Sequence, residues 1–100
     1  MHFFNIDSAF MVLKDGEPII VVYDENRENE GDLVAVTEWM YDNTINFMAK
    51  EARGLRCAPV SKDIAQLLDW VQMVYDNSDI FGTQFTVSIY HVDTTTGISA

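Results

Sequence analysis

Helical and extended patterns alternate along this chain, which predicts an α/β (α+β) fold. Three observations carry that reading. Apolar residues recur at i, i+3, i+4 and i+7 in three separate segments, the spacing of a one-sided helix. Runs rich in β-branched residues lie between those segments, as strands require. Gly, Pro and Asp/Asn clusters punctuate the boundaries. With 100 residues, 48% of them hydrophobic, the chain has the size and apolar content of a single domain spanning residues 1–100. No internal repeat, low-complexity tract or linker interrupts it.

The first periodic segment is Ile6, Ala9, Phe10 and Leu13, a short helix ending near Lys14 or Asp15, with Gly16 placed for a left-handed cap. Ile19-Ile20-Val21-Val22-Tyr23 is continuous and β-branched, the pattern of a strand buried on both faces. Leu33-Val34-Ala35-Val36 predicts a second short strand. From about Thr37 a helix is expected, its face formed by Ile45, Met48, Ala49 and Ala52 and its stop by Gly54.

Cys57-Ala58-Pro59-Val60 fits a short edge strand, because proline cannot donate to a ladder. Ser61 caps a third helix with Ile64, Leu67, Leu68 and Val71 on its apolar face. Asp76 to Asp79 with Gly82 form a polar loop, and Phe85, Val87 and Ile89 alternate with Thr86, Ser88 and Tyr90 as in a strand. A small-residue loop follows from Thr94. Trp39, Trp70 and the methionines are read at helical positions, as packing or partner surface.

A net charge of −10, from 16 acidic and 6 basic residues, argues against nucleic acid and anionic membranes as partners. No apolar run reaches the roughly 20 residues of a spanning helix. The N-terminal residues carry no signal-peptide pattern, and the lone Cys57 suits a reducing compartment. A cytoplasmic location is the expectation. Basic residues are uneven: Lys50, Arg53, Arg56 and Lys62 gather in one stretch, and none follows Lys62.

The chemistry concentrates between Asp24 and Asp32, where Asp24, Glu25, Glu28, Glu30 and Asp32 surround Arg27. Such crowding is repulsive unless a cation relieves it, and hard carboxylate oxygens are what Mg²⁺ prefers. On composition alone, a solvated acidic turn is the commoner meaning of such a run.

The order of the residues is more telling than their charge. Arg27-Glu28-Asn29-Glu30-Gly31-Asp32 followed by Leu33-Val34 is similar to the signature of the 3,4-dihydroxy-2-butanone 4-phosphate synthase family. Ile45 to Leu55 with Cys57, Phe81-Gly82-Thr83, Phe85 to Ser88, and Thr95 to Ala100 resemble further blocks of that family, in the same order. The resemblance covers nearly the whole chain. It implies part of the family's layered mixed sheet with flanking helices, corresponding to the N-terminal half of the domain. It also implies a riboflavin-biosynthesis lyase that converts ribulose 5-phosphate into 3,4-dihydroxy-2-butanone 4-phosphate and formate, with Mg²⁺ or Mn²⁺, as a homodimer.

Carried over residue by residue, the resemblance makes Glu28 the metal ligand and a substrate contact. Arg27 and Asp32 become substrate contacts. Asp32 and Glu30 become the carboxylates that take part in catalysis. Thr95, Thr96 and Ser99 match a loop offering donors to substrate, although such stretches are commonly only turns. Cys57 matches a near-site cysteine, with a buried small hydrophobe as the plain alternative. His2 and His91 match no functional position.

The chain departs from the family at Tyr23, where an acid is usual, at Asn26, where the family has Asp, and at Arg56, which puts a charge where the resemblance expects a core-facing apolar residue. The second metal ligand, a histidine in an Arg-x-Gly-His-Thr type motif, falls in the family's other half. These residues alone are therefore expected to be incomplete as a catalyst. The alternative function is a non-catalytic relative that binds metal and sugar phosphate or serves in assembly.

Overall fold

The computed structural model describes residues 3–26 and 30–95. The chain divides between Arg56 and Cys57 into two compact units.

In the first unit, α1 spans Ile6–Lys14. The Asn5 side chain starts it by accepting from the Ser8 N–H at 2.8 Å, which satisfies one of the donors a helix leaves open. Asp7 in the first turn and Lys14 in the last complement the helix dipole. The helix ends where the sequence expects, and Gly16 adopts φ +80°. A Cβ at Gly16 would lie 2.5 Å from the Trp39 carbonyl oxygen, so glycine is required by both conformation and space.

The following helix, α2, is Asp42–Phe47, continued by a π-helical stretch at Met48–Ala52. It does not begin at Thr37. Trp39 and Met40 both donate to the Val36 carbonyl at 3.0 Å, closing a turn, and Tyr41 is extended at φ −110°, ψ 168°. The Thr44 hydroxyl then donates to the Gly16 carbonyl at 3.0 Å, within the buried interior. This bond fixes the first turn of α2 against the end of α1. Gly54 is not the stop either: Arg53 takes the left-handed conformation at φ 59°, and its Nε donates to the Lys50 carbonyl at 3.3 Å.

Between these helices, β1 (Ile19–Val22) pairs antiparallel with β2 (Gly31–Val34), with Val21 opposite Asp32 and Val22 opposite Gly31. β2 thus starts two residues earlier than expected and takes in Asp32. The expected burial of β1 on both faces is not observed. Ile20 remains 69% exposed, because among the described residues the sheet has only these two strands and no second layer covers both faces. Leu13, Gly16 and Thr44 are the buried positions among the described residues.

In the second unit, α3 is Lys62–Leu67, and Ser61 Oγ accepts from the Ile64 N–H at 3.2 Å. Its expected apolar face is uncovered, with Leu67 84% exposed. Val71 lies beyond the helix. Residues 57–60 form no strand; Pro59 lacks the amide hydrogen a ladder needs, and among the described residues no partner strand pairs with them. The expected strand at Phe85 to Ile89 reduces to one antiparallel bridge, Gln72 with Thr86, flanked by Met73 N to Phe85 O at 2.9 Å and Val87 N to Val71 O at 3.0 Å. Trp39 and Trp70 lie outside the helices, and Arg56 is exposed. No helix among the described residues is long and apolar enough to cross a membrane.

Candidate functional site

The acidic segment is the connection of the β1–β2 hairpin, so its ends are set by the ladder. Tyr23 N donates to the Glu30 carbonyl at 2.9 Å, which extends the pairing one residue beyond the strands. Because side chains alternate across a sheet, this register puts Tyr23, Glu30 and Asp32 on one face, together with Val21. Ile20, Val22, Gly31 and Leu33 occupy the other. That second face, through Ile20 and Leu33, lines a cleft of about 550 Å³ with Asn43, Thr44 and Phe47.

The two faces therefore differ in chemistry. Glu30 and Asp32, two residues apart, present exposed carboxylates on the same side at the root of the loop. The Tyr23 phenol donates to Asp32 Oδ2 at 2.9 Å. Asp24 is committed locally: its Oδ1 accepts from the Asn26 N–H at 2.8 Å, an Asx turn that bends the chain away from β1. The carboxylate pair can meet a cation or an oxygen-rich ligand from solvent. Among the described residues no three His, Cys, Asp or Glu side chains converge as a metal cluster.

Arg27, Glu28, Thr96 and Ser99, named from the sequence as site residues, lie outside the described residues, as does His2. Glu30 and Asp32 are brought together by the hairpin. Cys57 and Thr95 belong to the second unit and are both exposed. Exposure rules out the reading of Cys57 as a buried small hydrophobe. His91 accepts from the Asp93 N–H through Nδ1 at 3.2 Å, a local turn contact. Sequence reasoning gave Tyr23 no role. The face that Asp32 shares with Tyr23 is set by the hairpin register, which alternation within β1 alone does not give.

A mixed helix-and-strand chain with a carboxylate-bearing hairpin is the class that fold and site define. The chain belongs to the 3,4-dihydroxy-2-butanone 4-phosphate synthase family, whose model matches residues 7–100. It is 88% identical over 100 residues to a riboflavin biosynthesis protein RibBA of Staphylococcus aureus strain COL, covering 100% of this chain and 25% of that protein. To the protein of the same name from Staphylococcus saprophyticus it is 66% identical, with the same coverage. The chain thus spans about a quarter of the length of the curated relatives it matches.

Among solved structures, a crystal structure of 3,4-dihydroxy-2-butanone 4-phosphate synthase in complex with two magnesium ions superposes with a TM-score of 0.89 at 40% identity. That match covers 97% of this chain and 46% of that one. A cation-free form of a 3,4-dihydroxy-2-butanone 4-phosphate synthase gives 0.82 at 37% identity, covering 98% and 45%. The expected partial α/β fold of this family is therefore the observed one.

Proposed function

We propose that residues 1–100 form the N-terminal half of one 3,4-dihydroxy-2-butanone 4-phosphate synthase domain, and that the acidic hairpin is its half of a site for ribulose 5-phosphate and a divalent cation. The family match over residues 7–100 is the observation that carries this reading. The donor chemistry fits the cation: exposed carboxylate oxygens at the hairpin root suit Mg²⁺, or Mn²⁺, which takes one or two carboxylates and completes its shell with water and substrate oxygens. Glu28 is the residue that would hold it, with Glu30 in support. When bound, such a cation stabilises negative charge developing on substrate oxygens.

The chain's own groups have distinct tasks in this reading. Arg27 engages substrate oxygens through its forked donors. Asp32, held on a paired strand rather than on the loop, accepts or delivers a proton beside the substrate ketone. Glu30 shares its face and adds a second carboxylate. By the family resemblance, Thr95, Thr96 and Ser99 are assigned as donors to the substrate and Cys57 as a near-site residue. Assembly as a homodimer and a cytoplasmic location belong to the same reading.

Titration calorimetry tests it. The chain is expected to bind ribulose 5-phosphate only when Mg²⁺ is present, and Glu28→Ala to abolish that binding. Binding without release of formate would favour the second reading, a non-catalytic binding or assembly module. No binding at all would overturn both.

A further inference from the structure

We propose that Tyr23 is a positioning residue for Asp32, holding the carboxylate in one rotamer on the ligand-facing side of the hairpin. This inference rests on the reading of Asp32 as a substrate contact. Its geometric basis is independent of that reading. Tyr23 directly follows β1 and is locked in register by its backbone bond to Glu30 at 2.9 Å. Val21 stands opposite Asp32, so Tyr23 and Asp32 are diagonal neighbours on one face, a separation that a long aromatic side chain can bridge. The phenol does bridge it, donating to Oδ2 at 2.9 Å.

An exposed aspartate on a strand samples several staggered χ1 wells. A donor fixed by the backbone of the facing strand removes that freedom, and a hydrogen bond to an ionised acceptor is stronger than a neutral one. Tyr23 is half-buried, so its ring is the less mobile partner and Asp32 the one oriented. The phenol brings no charge of its own beside Glu30 and Asp32, so it orients without adding repulsion. Among the described residues, the Tyr23 phenol is the hydrogen-bond donor to the Asp32 side chain. A ligand contact made by a preorganised group loses less on binding than one made by a free rotor.

The test uses the 100-residue chain and its Tyr23→Phe variant. Three-bond Hα–Hβ couplings of Asp32 report its χ1 distribution directly. The unsubstituted chain is expected to show the couplings of a single rotamer, either one large and one small or two small, and Tyr23→Phe to show averaged values while the amide pattern of the Val22–Gly31 pair is retained. Averaged couplings in the unsubstituted chain would overturn the proposal whether or not the variant folds, as would unchanged couplings in Tyr23→Phe. In parallel, with Mg²⁺ present, Tyr23→Phe is expected to weaken ribulose 5-phosphate binding about 3- to 10-fold, the range for one hydrogen bond, with Mg²⁺ affinity alone unchanged. Averaged couplings with unchanged sugar-phosphate affinity would overturn the link to ligand. Absence of any binding by the unsubstituted chain would overturn the proposed function and leave the positioning role to the couplings.

Discussion

The two units are held together by different means. In the first, backbone pairing between β1 and β2 and the contact of Thr44 with Gly16 join segments distant in sequence. In the second, backbone pairing between residues 71–73 and 85–87 shrinks to a single bridge, and side-chain bonds close a local loop. Asp79 accepts from the Phe81 N–H at 3.1 Å and the Thr83 N–H at 2.8 Å, and Asn77 donates to the Thr83 carbonyl at 2.7 Å. One antiparallel bridge is its sheet-like pairing among the described residues. Long-range ladders fix faces, and faces are what a site needs. Loops closed by their own side chains fix only themselves.

That contrast can be broken at its strongest point first. Gly16→Ala places a Cβ 2.5 Å from the Trp39 carbonyl oxygen at a residue with φ +80°. The left-handed backbone alone costs about 1–3 kcal/mol, and the clash adds to it. Chemical denaturation is expected to show a loss at least that large, with protection lost first from the α1 and α2 amides, while the Asp79 loop keeps its hydrogen bonds.

A smaller effect is expected at Thr44→Val, which keeps the shape and removes the hydroxyl. The Gly16 carbonyl then loses its buried partner, at a cost of about 1–3 kcal/mol, read as a fall in the denaturation midpoint with an unchanged slope. Equal loss of protection in both units would contradict the independence of their bonding.

The mildest perturbation is acid. The backbone N–H of Thr83 holds the Asp79 carboxyl below its ordinary range; desolvation opposes it, and the Thr83 hydroxyl and the amides of Phe81 and Gly82 add to the lowering. A carboxylate whose folded pKa is depressed contributes stability above its unfolded pKa, and that contribution fades as pH falls through the folded value. Loop order at residues 79–83 is therefore expected to persist at neutral pH and decline only below about pH 4. Asp79→Ala should abolish that pH dependence, as followed by the Thr83 amide resonance.

The same contrast explains what could be read from the sequence. Helix ends set by short-range chemistry were legible: Gly16 closes α1, Ser61 opens α3, and the polar loop at Asp76 to Asp79 stands where expected. Features that depend on a partner were not. The β-branched run at Ile19 to Val22 signals a strand that calls for cover on both faces, yet whether cover exists is a property of neighbouring elements. Val60 carries strand propensity with no facing strand among the described residues, and the Phe85 segment meets its partner in a single bridge, so propensity alone yields no ladder. Arg53 displaced Gly54 as the helix stop because its own side chain bonds the Lys50 carbonyl, a compensation that composition does not reveal. At the site, the motif from Arg27 to Asp32 was legible as family ancestry. The role of Tyr23 depended on a register that only the paired strands define.

The proposed cation-dependent sugar-phosphate site on the acidic hairpin is tested most directly by calorimetric titration of ribulose 5-phosphate into the chain with and without Mg²⁺, beside Glu28→Ala. Saturable binding that requires Mg²⁺ and disappears in the variant is the predicted result. Binding that is indifferent to both Mg²⁺ and Glu28 would contradict it.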